Sequence, residues 1–235
     1  MQELIHKYTN RPSLPRFFLE VVHGILSVQD YEQCYAAMPL DFNHRNREWP
    51  RRRIHKNHAV CKAIGLHKLK LGHTLSILDA TAGLAHDAFI FAKLGADVTM
   101  LERHSLLASW IDTALQQLED VPLQQRLRLL RIDARDYLSS TPNRYEVIYL
   151  DPMFGTRDKR AQAKKPMQIL HALMGENMDA DALLPLALQK ATQRVVVKRH
   201  KLSPFLGQQS PTYQILGSST RYDIYLSDAP QRCHT

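Results

Sequence analysis

Several things are scarce in this chain. It has three cysteines among 235 residues, Cys34, Cys61 and Cys233, an odd number without CxxC spacing. That leaves little basis for a disulfide framework or a zinc site and makes a reducing, cytoplasmic compartment the expectation. No apolar run approaches the roughly 18 residues a membrane span needs. Met1-Gln-Glu-Leu-Ile-His-Lys7 lacks the apolar core of a signal peptide. The twelve histidines show no HxxxH or His/Cys metal spacing, so no metal is expected. There is no Gly-Lys-Ser/Thr phosphate loop, no Gly-x-Ser-x-Gly elbow, no internal repeat and no low-complexity tract.

What is present is a core-forming composition with one lopsided segment. Hydrophobic residues make up 44% and charged residues 23%, the balance of a globular protein. Between His44 and His73 lie nine cations (Arg45, Arg47, Arg51, Arg52, Arg53, Lys56, Lys62, Lys68, Lys70) against the single anion Glu48, so this stretch carries the whole net charge of +8. The remainder holds 22 basic and 22 acidic residues. A solvated basic helix or linker is the plain reading; a footprint for a phosphate backbone explains the asymmetry better.

Residues 1 to about 40 are punctuated by Pro12, Pro15 and Pro39, and Phe17 to Leu26 is a short apolar stretch, strand or helix. His58 to Gly65 reads as two helical turns closed by a Gly C-cap. From Thr74 the pattern alternates. Leu75–Asp79, Ala96–Glu102, Leu127–Ile132, Val147–Leu150 and Arg194–Lys198 read as strands. Ala85–Leu94, Ser105–Leu118 with a Ser N-cap, and Asp179–Lys190 opened by Pro185 read as helices. Thr212–Leu216 and Arg221–Leu226 flank a Gly/Ser turn and predict an antiparallel hairpin. The expected architecture is α/β: a mostly parallel doubly wound sheet with an antiparallel C-terminal hairpin and a small N-terminal extension. The expected division is 1–72, the extension with its basic segment, and 73–235, the α/β domain.

In such a sheet ligands bind beyond the carboxyl ends of the strands, and four loops there carry chemistry. The first, Asp79-Ala-Thr-Ala-Gly-Leu-Ala-His-Asp-Ala88, has Gly83 but then Ala85 and Ala88 where a dinucleotide fingerprint needs glycine. Two Cβ atoms in those places argue against NAD or FAD and are tolerable for a cofactor without phosphates, such as S-adenosyl-L-methionine, with Asp79 placed to meet its positive end. Glu102 ends the second strand, 23 residues on, where a carboxylate accepts from both ribose hydroxyls. Asp133, after the third strand, can accept from an adenine amino group, with Asp136 close by. Asp151-Pro152-Met153-Phe154 follows the fourth strand. Pro152 lacks an N–H and turns the chain out of the ladder. The motif is similar to the Asn/Asp-Pro-Pro-Tyr/Phe of methyltransferases that act on exocyclic amino groups. The Asp151 carboxylate and the Pro152 carbonyl would take the two N–H bonds and leave the lone pair facing the methyl, while Phe154 stacks on an extruded base. Cations after these strands, Arg157 to Arg160, Lys164, Lys165, Lys198 and Arg199, suit a phosphate-binding rim.

Together these stretches resemble the ribosomal RNA small subunit methyltransferase J family. Leu78–Phe89, Met100–Arg103, Tyr149–Phe154, Lys164-Lys165, Asp179–Asp181, Arg194–Arg199 and Arg221–Tyr225 carry the likeness, and Met153 in Tyr-Leu-Asp-Pro-Met-Phe is its most specific mark. The resemblance implies a Rossmann-like class I S-adenosylmethionine-dependent methyltransferase fold and methylation of N2 of a guanosine in 16S rRNA, as free RNA or in the small ribosomal subunit. It implies cofactor contacts at His86, Asp87, Glu102, Arg103, Asp133, Ala134 and Asp151. The family usually has Gly-Leu-Gly-Arg-Asp where this chain has Gly83-Leu-Ala-His-Asp87. Arg51-Arg-Arg-Ile-His-Lys56 replaces its Gly-rich basic segment. Two other readings compete: an amino-methyltransferase on another nucleobase, such as adenine N6 in RNA or DNA, and a catalytically silent RNA-binding assembly factor.

Overall fold

A computed structural model describes residues 16–32, 36–43, 58–152, 180–217 and 220–227. Ten strands occur among them: β1 (Phe17–Val22), β2 (Ile25–Asp30), β3 (Met38–Pro39), β4 (Ser76–Asp79), β5 (Asp97–Leu101), β6 (Leu127–Leu130), β7 (Tyr145–Leu150), β8 (Ala191–His200), β9 (Tyr213–Leu216) and β10 (Thr220–Leu226). The helices are α1 (Ala59–Ile64), α2 (His86–Lys93), α3 (Ser105–Gln116), α4 (Val121–Gln124), α5 (Ala134–Ser140) and α6 (Leu183–Lys190). None of the described helices is long and apolar enough to cross a membrane.

The main sheet has seven strands in the order β6-β5-β4-β7-β8-β10-β9. All pairings from β6 to β8 are parallel, and β10 runs antiparallel to both β8 and β9. The chain winds outward from β4 to β6, then returns to place β7 on the other side of β4. That reversal is the switch point where an α/β sheet opens a crevice at its carboxyl edge, and Asp79 and Asp151 stand at the two strand ends that flank it. The expected doubly wound sheet and C-terminal hairpin are both present. The later strand of the hairpin, β10, inserts between β8 and β9, because Tyr222, Ile224 and Tyr225 are buried while Tyr213 and Leu216 of β9 are exposed.

Period-two alternation divides the core between the two faces of the sheet. Ile77, Val98, Met100, Val147, Tyr149, Val196, Tyr222 and Ile224 pack with Ile64 of α1, Phe91 of α2 and Trp110 and Ile111 of α3. Leu78, Leu101, Ile148, Leu150, Val195, Val197 and Tyr225 face the other way, onto Leu138 of α5 and Leu183, Leu184 and Ala187 of α6. Each fully buried aliphatic side chain contributes about 1.5–3 kcal/mol relative to exposure.

Phe17 to Leu26 is a hairpin rather than one element. His23 and Gly24 both take positive φ (51° and 81°), the two-residue geometry that matches strand twist. This small sheet, in the order β1-β2-β3, joins the first core through Phe17 and Val28, and the Trp110 indole N–H donates to the Leu26 carbonyl at 2.8 Å. Two expected helix ends differ. His104 rather than Ser105 is the N-cap residue of α3, and its side chain makes no capping bond. Pro185 does not break α6: it lies in the first turn, where a missing N–H costs no helical hydrogen bond. At Gly65 the expected C-cap is present, left-handed at φ 90°.

Candidate active site

The cofactor side of the crevice is assembled from three loops. Asp79 ends β4, is 2% exposed, and accepts the Thr81 N–H at 3.2 Å. Burial, reinforced by the nearby charge of Asp87, pushes its pKa up to about 8 against the pull of the Thr81 N–H. The loop then turns tightly through two left-handed residues, Gly83 (φ 54°) and Ala85 (φ 58°), and the Ala85 N–H closes the turn on the Ala82 carbonyl at 2.7 Å. A Cβ in that conformation costs roughly 1 kcal/mol, which explains why a glycine suits position 85 in related loops.

Glu102, just past β5 and 3% exposed, is held by two peptide groups: His104 N–H at 2.7 Å on one oxygen and Gly83 N–H at 3.2 Å on the other. Burial raises its pKa, and these N–H bonds oppose the rise. Asp133 caps α5, accepting the Arg135 N–H at 2.8 Å, and draws in the Arg103 guanidinium at 3.2 Å. Burial would raise its pKa; the Arg135 N–H and the Arg103 bond overcome that and hold it below the ordinary value.

These loops line an open cleft with Thr81, Gly83, Glu102, Arg103, Asp133, Ala134, Arg135 and Asp151, beside the apolar Leu101, Ile132 and Leu183. Its chemistry fits S-adenosylmethionine. Three carboxylates in the wall can accept hydroxyl and amino protons, and both arginines there already face Asp133. A pyrophosphate would meet net repulsion. Among the described residues no cluster of His, Cys, Asp and Glu is arranged to hold a metal.

The acceptor side is built differently. Asp151 follows β7, its backbone N–H donating to Thr81 Oγ1 at 2.6 Å, which ties the fourth loop to the first. Lys198 of β8 donates to Asp151 Oδ2 at 2.9 Å and to Asp87 Oδ2 at 2.7 Å. Tyr149 of β7 donates its hydroxyl to the same Asp87 oxygen at 2.6 Å, with its ring edge-on to Phe91 at 5.1 Å. Burial would raise the Asp87 pKa, but the Lys198 charge and the Lys198 and Tyr149 bonds hold it below the ordinary value. Burial would lower Lys198, and its two carboxylates hold it well above the ordinary lysine value.

The structure thus gathers Gly83, Glu102, Arg103, Asp133, Ala134 and Asp151 around one cleft. Asp79 lies outside the cleft wall, and Pro152 is buried beside Asp151. His86 opens α2 with an exposed side chain, and Asp87 is engaged with Tyr149 and Lys198 rather than lining the cleft. Lys198 and Arg199, expected on a phosphate-binding rim, have internal partners instead. Lys198 bridges two carboxylates, and the buried Arg199 guanidinium donates to the Pro204 carbonyl at 2.6 and 3.1 Å. The reason is strand length: β8 continues to His200, so both positions remain inside a packed sheet. Phe154, Arg51, Arg52, Arg53, Lys56, Lys164 and Lys165 lie outside the described residues. Sequence reasoning missed Tyr149, Thr81 and the inward role of Lys198. The available signal was a lysine directly after Val195-Val-Val197, where a parallel strand buries both faces and a cation needs a counter-charge.

Comparison with known proteins agrees with this geometry. The family described as "Putative SAM-dependent methyltransferase" matches residues 6–227. Ribosomal RNA small subunit methyltransferase J of Aeromonas salmonicida is 41% identical over 179 residues, covering 74% of this chain and 71% of that one. The Cellvibrio japonicus protein of the same name is 42% identical over 181 residues, 72% and 67% of the two chains. The crystal structure of a SAM-dependent methyltransferase from Neisseria gonorrhoeae superposes with a TM-score of 0.67 at 27% identity, over 98% of this chain and 93% of that one. With the class I sheet order, the cofactor cleft and the Asp151-Pro152 strand end in place, the chain belongs to the SAM-dependent methyltransferases, within the ribosomal RNA small subunit methyltransferase J family.

Proposed function

We propose that this protein methylates N2 of a guanosine in 16S rRNA, on the free RNA or within the small ribosomal subunit, in the cytoplasm. The observation that carries the reading is the position of Asp151: it ends β7 at the switch point and lines the cleft shared with Glu102 and Asp133. S-adenosylmethionine, when bound, supplies an electrophilic methyl group on a sulfonium. Glu102 and Asp133 suit its ribose and adenine ends. Asp151, on the cleft wall, keeps negative charge near its positive end.

The acceptor logic follows from hydrogen-bond inventory. An ionised carboxylate is acceptor-only and can take two N–H bonds side by side. Guanine offers N1–H and N2–H together, whereas adenine offers one N–H beside a ring lone pair. Asp151 therefore suits guanine, and the Pro152 carbonyl can take the second N2–H. So held, the nitrogen lone pair is directed at the methyl carbon. As the N–C bond forms and the S–C bond breaks, the positive charge growing on N2 is stabilised by Asp151, and one N2 proton then leaves to solvent through that carboxylate.

The test is methylation of 16S rRNA and of small subunits lacking the mark, followed by nucleoside analysis. N2-methylguanosine at one position is the expected product. N6-methyladenosine would overturn the base assignment. No product from folded protein that S-adenosylmethionine nonetheless stabilises thermally would overturn the substrate assignment.

A further inference from the structure

Lys198 is the one described cation bridging the cofactor loop to the acceptor strand. Its ammonium sits between carboxylates that come from separate elements: Asp87, on the first turn of α2, at 2.7 Å, and Asp151, after β7, at 2.9 Å. Its side chain is only 25% exposed, and two of its three N–H bonds are committed to these carboxylates. Tyr149 then fixes Asp87 from the other side at 2.6 Å. The result is a chain of four groups, Tyr149–Asp87–Lys198–Asp151, which ends on the carboxylate that the proposed chemistry uses.

We infer that Lys198 is a positioning residue for methyl transfer: it holds Asp151 ionised and aims its carboxylate, and Asp87 with Tyr149 sets how much of the lysine Asp151 receives. The inference rests on the proposed use of Asp151 as the acceptor of the substrate amino protons. Asp151 is useful there only as an anion, because a protonated carboxyl presents an O–H where an acceptor is needed. Enclosure raises the Asp151 pKa, Lys198 pulls it down, and Asp87 pushes it up again. With 39% of its side-chain surface still open, solvent tempers each of these effects. Among the described residues, the other titratable groups that feel these charges are Cys61 on α1, Asp79 at the end of β4, His86 on α2, Tyr149 on β7 and Tyr222 on β10. The Tyr149 and Tyr222 hydroxyls stay neutral, since burial pushes Tyr222 up to about 12 and Tyr149 well above its ordinary value. Lys198 is therefore the cation on which Asp151 depends within this group of residues.

A purely structural tie between β8 and α2 would predict loss of stability and nothing more. The positioning role predicts shifts of opposite sign from two substitutions. Lys198→Met removes the attraction and raises the midpoint of Asp151 by about 1–3 pH units. Asp87→Asn removes the repulsion and frees the lysine, so the midpoint falls. Lys198→Arg keeps a cation in place and leaves the midpoint near that of the wild type. The primary measurement is carboxyl-carbon NMR titration of the cofactor-free, full-length protein, with Asp151→Asn used to assign the resonance. The second is the acid limb of kcat on unmethylated 16S rRNA, which should move in the same directions, with kcat at neutral pH falling at least about 100-fold in Lys198→Met. An Asp151 midpoint that Lys198→Met leaves in place, or that Asp87→Asn raises or leaves in place, overturns the inference. If Lys198→Met does not fold, the Asp87→Asn shift alone decides. The titration needs no RNA, so absence of wild-type methylation would sink the proposed substrate while the Asp151–Lys198 coupling is judged separately.

Discussion

On the β4–β6 side of the crevice, carboxylates are held by peptide groups. Thr81 N–H holds Asp79, His104 and Gly83 N–H hold Glu102, and Arg135 N–H holds Asp133. Three of those four donors lie two residues from their acceptor. On the β7–β8 side they are held by side chains from far along the chain. Lys198 meets Asp87 across 111 residues and Asp151 across 47, and Tyr149 meets Asp87 across 62. The first arrangement is a property of loop conformation and is assembled as each strand ends. The second exists only after β7, β8 and α2 have packed. The difference suits the two proposed tasks: a cofactor pocket needs fixed acceptors, and an acceptor site needs one carboxylate whose charge state is controlled.

Substitutions on either side test this division. The largest effect is expected at Asp151: Asp151→Ala should lower kcat by about 1,000-fold or more, with the protein still folded and cofactor binding weakened far less than kcat. Steady-state kinetics beside calorimetric titration would show this, and near-normal turnover would remove Asp151 from the reaction. Next is Glu102→Ala, which deletes a buried charged acceptor and should weaken cofactor binding about 10–100-fold; unchanged affinity would mean that the ribose lies elsewhere.

Asp79→Asn should be opposite in sign, an effect on stability. The native carboxyl binds its proton up to pH about 8, while the unfolded one releases it near the ordinary value. The native state therefore binds more protons between those pH values, and its stability falls as pH rises through them. The asparagine variant lacks that loss. It should match the wild type near pH 4 and be the more stable of the two by up to about 5 kcal/mol at pH 8 without cofactor, as denaturant unfolding at the two pH values would show. The smallest effect is expected at Ala85→Gly. Relief of the left-handed strain slightly outweighs the lost methyl burial, for a gain of about 0.5 kcal/mol. Destabilisation there would mean that the Ala85 methyl packing is worth more than the strain.

Legibility in the sequence follows the same division. The loop Asp79-Ala-Thr-Ala-Gly83, the acid at Glu102 and the capping Asp133 were readable because their partners are their own backbone neighbours, and strand-terminal position alone implies a shared edge. The likeness of Tyr149–Phe154 to a family motif points to Asp151 at the end of β7, and the structure brings that residue to the cleft wall. In sequence Lys198 reads as an outward phosphate contact, because Lys198-Arg-His-Lys201 looks like any basic strand end. Only the continuation of β8 to His200 turns it inward. Arg199 shows the same lesson on the opposite face, where it supports the turn at Pro204. Pro185, in sequence a residue that either breaks or opens the helix, opens it: it stands in the first turn, where its missing N–H carries no penalty.

By itself the sequence determined the α/β order, the phosphate-free character of the cofactor loop and the carboxylates that line the cleft. Periodicity and turn chemistry act over a few residues and survive without tertiary context. Tertiary structure alone decided that Lys198 meets Asp151, that Asp87 pairs with the same lysine rather than lining the cleft, and that β10 enters the sheet inside β9. Each of these is a choice between partners far apart in the chain, and burial settles it: a charge removed from water must find its counter-charge wherever the packed sheet brings one within about 3 Å.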